Sequence, residues 1–462
     1  MRYLLPDHVL LGDEIRSEVA IGIGDEGRIE SVGPLPAGAT AERLPRRLVI
    51  PGFVNGHSHA FQRAIRGRSE YRQRGRTSDD FWTWREQMYA AAMRLDPNEF
   101  EAVSRMAFVE MALAGITTVG EFHYVHHPAE GGRYADPDEL ALRVAKAAED
   151  AGIQLVLLRV SYARAGHRQD PNPRQIRFID SSADETLSAV ERLRGRGLRV
   201  GVAPHSVRAL RIEWLRELGA HARAHDLPLH MHLSEQPREV EECVQEHGAR
   251  PAELMAREGL LGPLFTGVHG VHLTDTEIRL LGEAQATICA CPTTERNLGD
   301  GIVRARALFD AGVHVCFGTD SQIEIAPLQD ARALEYHLRL KKLERAILGD
   351  AEGDDRPDRL AARLLRCATS AGARALGEPT GSIEPGRRAD LVAIDLDDPS
   401  IRGADLRTLL PNVVFSLERT AIRDVWSAGR HLVRDGRHPL QEEAGRAFDA
   451  AMASLWRDDR GG

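Results

Sequence analysis

The chain has 462 residues, 42% of them hydrophobic and 28% charged, which is long enough for one large domain with a smaller satellite. Its formal net charge is −9 and its 60 Lys and Arg form no basic blocks, which argues against a nucleic-acid partner. No apolar run approaches the roughly 18 residues of a membrane span, and the opening MRYLLPDHVLLGDE lacks a charged region followed by an apolar one. A soluble, cytoplasmic protein with no membrane partner is expected.

In chain order, VAIGIGDEGRIESVG near the start reads as short alternating strands joined by glycine turns. From about residue 48 to 321, short apolar runs then alternate with longer amphipathic stretches. The eight runs are 48–54, 116–121, 153–160, 198–203, 227–232, 265–269, 286–290 and 313–318. The helical patterns between them include 97–114, closed by Gly115, and 138–151, closed by Gly152, glycine being the preferred residue just past a helix end. Repeated strand–helix units of this kind predict a parallel sheet closed into a (β/α)8 TIM-like barrel. Beyond it, GRRADLVAIDL and IRDVWSAGRHLVRDG return to alternating strands. An isolated hairpin is marginal in water, so these strands should pair with the first segment into a small β-sandwich. The expected limits are 1–49 and 382–438 for the two parts of that β-domain, 50–381 for the barrel, and 439–462 for a C-terminal helical segment packed outside.

Five cysteines, Cys243, Cys289, Cys291, Cys316 and Cys367, are too scattered for a disulfide framework and suit a reducing compartment. Cys289 and Cys291 share a face of an extended segment but have no second pair nearby, and they read as small core residues.

Barrels of this class carry their reactive groups at the C-terminal ends of the strands. Run one ends in Asn55-Gly56-His57-Ser58-His59, run five in His230-Met231-His232-Leu233-Ser234-Glu235, run six in His269, and run eight in Gly318-Thr319-Asp320-Ser321. His57 and His59 are two apart, so in a strand their imidazoles point to the same side. With His232 and Asp320 from other strand ends they offer three imidazoles and one carboxylate, a set that suits a single Zn2+ per subunit, with Fe2+ or Mn2+ as alternatives. An ion there would acidify a water molecule and so supply the nucleophile. Glu235 stands three residues past His232, where a carboxylate can take a proton from that water and pass it to a departing nitrogen. His272 lies beyond its strand end and reads as structural.

VIPGFVNGHSH, HMHLSE, VHGVHL and GTDS together resemble the amidohydrolase superfamily over nearly the whole chain. HSHAFQRA, DDFWTWR, EFHYVHH, PHSVRA and TTERNLGDG are further similar to the N-formimidoyl-L-glutamate deiminases of histidine degradation. The resemblance implies a cytoplasmic, homodimeric zinc hydrolase that converts N-formimidoyl-L-glutamate into N-formyl-L-glutamate and ammonia. By the same resemblance Asp320 is counted among the catalytic residues, and His269 orients or deprotonates the water and stabilises the tetrahedral centre. Gln62, Arg85, Tyr124, His205 and Arg208 match positions that bind substrate, and two arginines suit a small amidine with two carboxylates. Binuclear members of the superfamily bridge their metals with a strand-end lysine. The three lysines here are Lys146 in a helical pattern and Lys341 and Lys342 beyond the last run, so one metal is expected.

Two positions depart from the pattern. Gln322 stands where some such deiminases have His, and Gly270 where a larger small residue is common. The alternatives are a deaminase acting on a ring amidine of the purine, pterin or triazine type, and a catalytically silent scaffold.

Overall fold

The chain opens with five strands, β1 (Arg2–Leu11), β2 (Glu14–Ser17), β3 (Ala20–Ile23), β4 (Ile29–Gly33) and β5 (Ala41–Pro51), before turning into the barrel. This computed structural model describes residues 1–72, 79–349 and 356–457. Residues 73–78 and 350–355 of the predicted barrel segment, and 458–462 of the predicted terminal segment, lie outside the described residues.

Eight strands follow: β6 (Phe53–Ser58), β7 (Ile116–His123), β8 (Gln154–Ser161), β9 (Val200–Pro204), β10 (Leu229–Leu233), β11 (Phe265–His269), β12 (Thr287–Ala290) and β13 (His314–Phe317). They are hydrogen-bonded in sequence order and every pair is parallel. The circle closes past the end of β13, where Asp320 N–H donates to His57 O at 3.1 Å and His59 N–H donates to Asp320 O at 3.0 Å. Gly152 caps its helix in the left-handed region at φ 74°, and Gly115 follows its helix at φ 84°, as the sequence pattern required.

The first apolar run, 48–54, is divided between two sheets. Leu48 to Ile50 pair with β1 and with a late strand, β14 (Leu391–Asp395), whereas Phe53 and Val54 begin the barrel. The break falls at Pro51-Gly52, where Gly52 N–H donates to Asp390 O at 2.8 Å and leaves no room for a side chain against Thr117.

With β15 (Ile422–Ser427) and β16 (Arg430–Val433), the outer strands form one mixed sheet in the order β16-β15-β14-β5-β1-β3-β4, with β2 paired to β1. Both chain ends therefore meet in it. Alternation gives each strand two apolar duties. Leu48, Ile50, Val392 and Ile394 face the large barrel core, while Val49, Leu391 and Ala393 pack with Leu4, Ile21 and Trp426 in a separate small core. Arg388 also binds the sheet to the barrel, donating to Asp390 at 2.7 Å, to Thr118 on β7 at 2.6 Å, and to Glu378. The last helix, Gln441–Leu455, packs on the helix Pro97–Leu113.

Candidate metal and substrate site

Residues at the C-terminal ends of the barrel strands converge. His57 Nε2 lies 3.1 Å from His59 Nε2 and 3.2 Å from His232 Nε2. Asp320 Oδ1 lies 3.4 Å from the first and 3.2 Å from the second of these three nitrogens. His59 Nδ1–H donates to Phe122 O at 3.0 Å, which fixes the tautomer and leaves the Nε2 lone pair facing inward. Burial pushes His57 down to about 3 and His232 well below the usual histidine range, so both are neutral at pH 7. Burial would raise Asp320, but the facing His57 and His59 hold it well below the usual carboxylate range. Several inward lone pairs and a carboxylate packed this closely repel one another without a cation among them. This donor set fits a tetrahedral divalent ion with N and O ligands, Zn2+ foremost.

The rim is pinned around these groups. Glu121 accepts from Ser58 Oγ at 2.5 Å and from Ala60 N–H at 2.7 Å, gripping the loop on either side of His59. Gln322 Nε2 donates to Ser58 Oγ at 2.9 Å and to Asp320 O at 3.1 Å. Gln322 thus ties the Asp320 turn to the loop bearing the histidines. Ser234, His269, Asp320 and Gln322 all have positive φ, of 51°, 72°, 47° and 60°, a conformation costing about 1 kcal/mol or more for residues other than glycine. Gly270 has a left-handed backbone too, at φ 63°, and an added Cβ would stand 3.1 Å from Ile288, which accounts for the missing side chain there.

His269 lies parallel to His232 and approaches three carboxylates: Glu235 at 3.5 Å, Glu295 at 3.4 Å and Asp320 at 3.9 Å. Burial opposes protonation of His269, yet these acids outweigh it and raise His269 well above its ordinary value. Burial raises Glu235 to about 7. Glu235 can therefore gain and lose a proton near neutrality, as acid–base catalysis needs, with His269 held beside it. Glu295 was not singled out by sequence reasoning, although it lies inside the TTERNLGDG motif.

A cleft of about 510 Å3 opens over these groups, with His59, His232 and Asp320 at its floor. Gln62, Tyr124, Arg85, His205 and Arg208, the five predicted substrate residues, all line it. Gln62 Nε2 donates to Tyr124 Oη at 2.8 Å and its Oε1 is left without a partner. Arg85 and Arg208 both flank Trp82, with Cζ 4.6 and 5.7 Å from its ring centre. Nε and Nη1 of both arginines are buried with no hydrogen-bond acceptor among the described residues. Such charges are expensive unless an anion meets them. Tyr89, Tyr162 and Phe178 complete the walls and were missed, because single aromatic residues in apolar runs look like core.

The remaining expectations concern residues outside the cleft. His272 Nε2 bonds to Asp300 O at 3.0 Å, consistent with a structural role. Cys289 and Cys291 are free and buried beside Cys316. Lys146 pairs with Asp150 on its own helix.

The sequence profile of the amidohydrolase family matches residues 48–432. Formimidoylglutamate deiminase of Pseudomonas aeruginosa is 38% identical over 98% of this chain and 100% of its own length. The 5-methylthioadenosine/S-adenosylhomocysteine deaminase of Halobacterium salinarum is 31% identical over 93% of this chain and 92% of its own. Among solved structures, an amidohydrolase from Brucella melitensis superposes with a TM-score of 0.89 at 36% identity, covering 98% of this chain and all of that one.

Proposed function

Because this chain belongs to the amidohydrolase family and is a hydrolase of carbon–nitrogen bonds, we propose that it deiminates N-formimidoyl-L-glutamate to N-formyl-L-glutamate and ammonia. The observation that carries this substrate is the buried, unpartnered Nε and Nη1 of both Arg85 and Arg208 beside the His57, His59, His232 and Asp320 cluster. A dicarboxylate supplies the acceptors both lack.

His57, His59, His232 and Asp320 would hold Zn2+, which when bound would supply Lewis acidity and acidify a water molecule at neutral pH. Glu235 takes a proton from the attacking water and returns it to the departing nitrogen, which leaves poorly until protonated. His269 orients or deprotonates the attacking water, stabilises the tetrahedral centre and is steadied by Glu295. Arg85 and Arg208 hold the two carboxylates, while Gln62, Tyr124 and His205 orient the amidine end. A cytoplasmic homodimer, and the domain limits given above, belong to the same proposal.

The test is ammonia release by zinc-loaded protein from formimidoylglutamate; no turnover at full metal content rejects the reading. A second reading, deamination of a ring amidine, draws on the Halobacterium relative. A neutral ring needs no paired arginines, so Arg85→Met and Arg208→Met separate the two. The dicarboxylate reading expects kcat/KM to collapse in both variants, and the ring reading expects little change.

A further inference from the structure

Gln175 is 1% exposed and stands behind the cleft wall, and no step above uses it. It closes the short turn Pro173–Gln175 in the segment after β8. Its Oε1 accepts from Asn172 N–H at 2.8 Å, and a backbone donor leaves that place to oxygen alone, so the orientation of the amide is fixed. Its Nε2 then gives one hydrogen to Tyr89 Oη at 2.9 Å and the other to Tyr162 Oη at 2.8 Å. Both tyrosines, each 2% exposed, line the cleft with Arg85 and Arg208. Arg174 donates to Glu86 at 2.7 Å, which ties the same turn to the helix carrying Tyr89 and Arg85.

A hydroxyl whose oxygen accepts from Gln175 has its own hydrogen to place elsewhere. The two hydroxyls stand close enough to interact, but only one of them can donate to the other, so at least one hydrogen needs an acceptor beyond the pair. No other acceptor meets them among the described residues. Burial raises Tyr89, so it keeps its hydrogen at neutral pH. The open side is the cleft, where Arg85 Cζ lies 5.4 Å from the Tyr89 ring centre and Arg208 is within electrostatic reach of both tyrosines. We infer that Gln175 is a positioning residue that commits Tyr89 and Tyr162 to donate, alongside Arg208, to a substrate carboxylate. The inference rests on the dicarboxylate reading and adds a preference to it. A carboxylate accepts with both oxygens, whereas a carboxamide turns one of those two places into a donor.

Gln175→Glu keeps the shape and the Asn172 contact but puts an acceptor where the donor was, which draws the tyrosine hydrogens away from the cleft. In the zinc-loaded variant, with metal content and Tm matching the wild type, calorimetry should show glutarate bound about tenfold or more weakly, and its monoamide, glutaramate, bound nearly as before. KM for formimidoylglutamate should rise with kcat largely kept. Equal loss for both probes marks a structural role and overturns the inference, as does unchanged affinity for both. Where Gln175→Glu does not fold, the double variant Tyr89→Phe and Tyr162→Phe decides instead. It keeps the rings, and a preference for glutarate over glutaramate as large as in the wild type overturns the inference. Wild-type protein inactive on formimidoylglutamate sinks the substrate reading, and the glutarate comparison still decides the donors; a wild type with no preference for glutarate overturns them.

Discussion

Arg85 and Arg208 show how a single residue type becomes legible only in place. In the sequence each is one of many arginines; in the structure each has buried donors with nothing to bind. Replacing either with Met should reduce kcat/KM on the order of a hundredfold, read from steady-state ammonia release, because the substrate carboxylate is then buried unpaired. Glu235, raised to about 7 by burial, gives a testable sign. As the base it must be ionised, so kcat/KM should fall as pH drops below about 7. Glu235→Gln should lose that limb together with a rate factor of about 100 or more. Stability runs the other way. A carboxyl raised on folding contributes stability that is complete below its unfolded value and fades as pH rises through about 7. In metal-free protein, denaturant titration should therefore show Glu235→Gln with a flatter decline across that window. The ligand set was readable from H-x-H, H-x-H-x-x-E and GTDS because strand ends are where such barrels act. Tyr89, Tyr162 and Glu295 were not, since nothing in a one-dimensional pattern separates a cleft wall from a core.

Short elements set the precision of these groups. Helix Phe81–Arg94 carries Trp82 and Arg85, and its far end is held by Arg177, which is 1% exposed. Arg177 donates to Leu95 O at 2.7 Å and to Ala92 O, filling open carbonyls of the helix end, and to His127 O at 2.7 Å in the loop after β7. Arg177→Met should cost on the order of 3 kcal/mol by denaturant unfolding. Because it loosens the helix bearing Arg85, KM should rise more than kcat falls while metal content is kept. The loop after β6 has its own brace in Glu121. Glu121→Gln should weaken metal affinity by about 10–100-fold in a chelator competition, as expected when support behind a ligand is lost. The periodicity of the helices and their glycine caps could be read in advance. The split of run 48–54 could not, since one apolar stretch served two sheets and only Pro51-Gly52 hinted at a break.

Across the whole molecule, the barrel and the outer sheet depend on each other. β5 lies between strands from opposite ends of the chain, and Arg388 ties that sheet to Glu378 and to β7. Arg388→Met should destabilise the protein by about 3–5 kcal/mol, since it strands the buried Asp390 without its cation and leaves Glu378 with Arg199 alone, and should leave KM unchanged. The strand count and the joining of the chain ends were legible because parallel strands read as apolar runs and outer strands as alternating ones. The sheet order was not, because pairing between residues hundreds of positions apart leaves no local trace. The closure of the barrel at Asp320 has one more consequence. The rungs that shut the cylinder belong to the same residues whose side chains gather at the cluster, so an ion there would also act as a stitch along the last seam. In amide exchange followed by mass spectrometry, chelation should speed deuterium uptake first at His59 and Asp320, while the opposite wall near β9 stays protected.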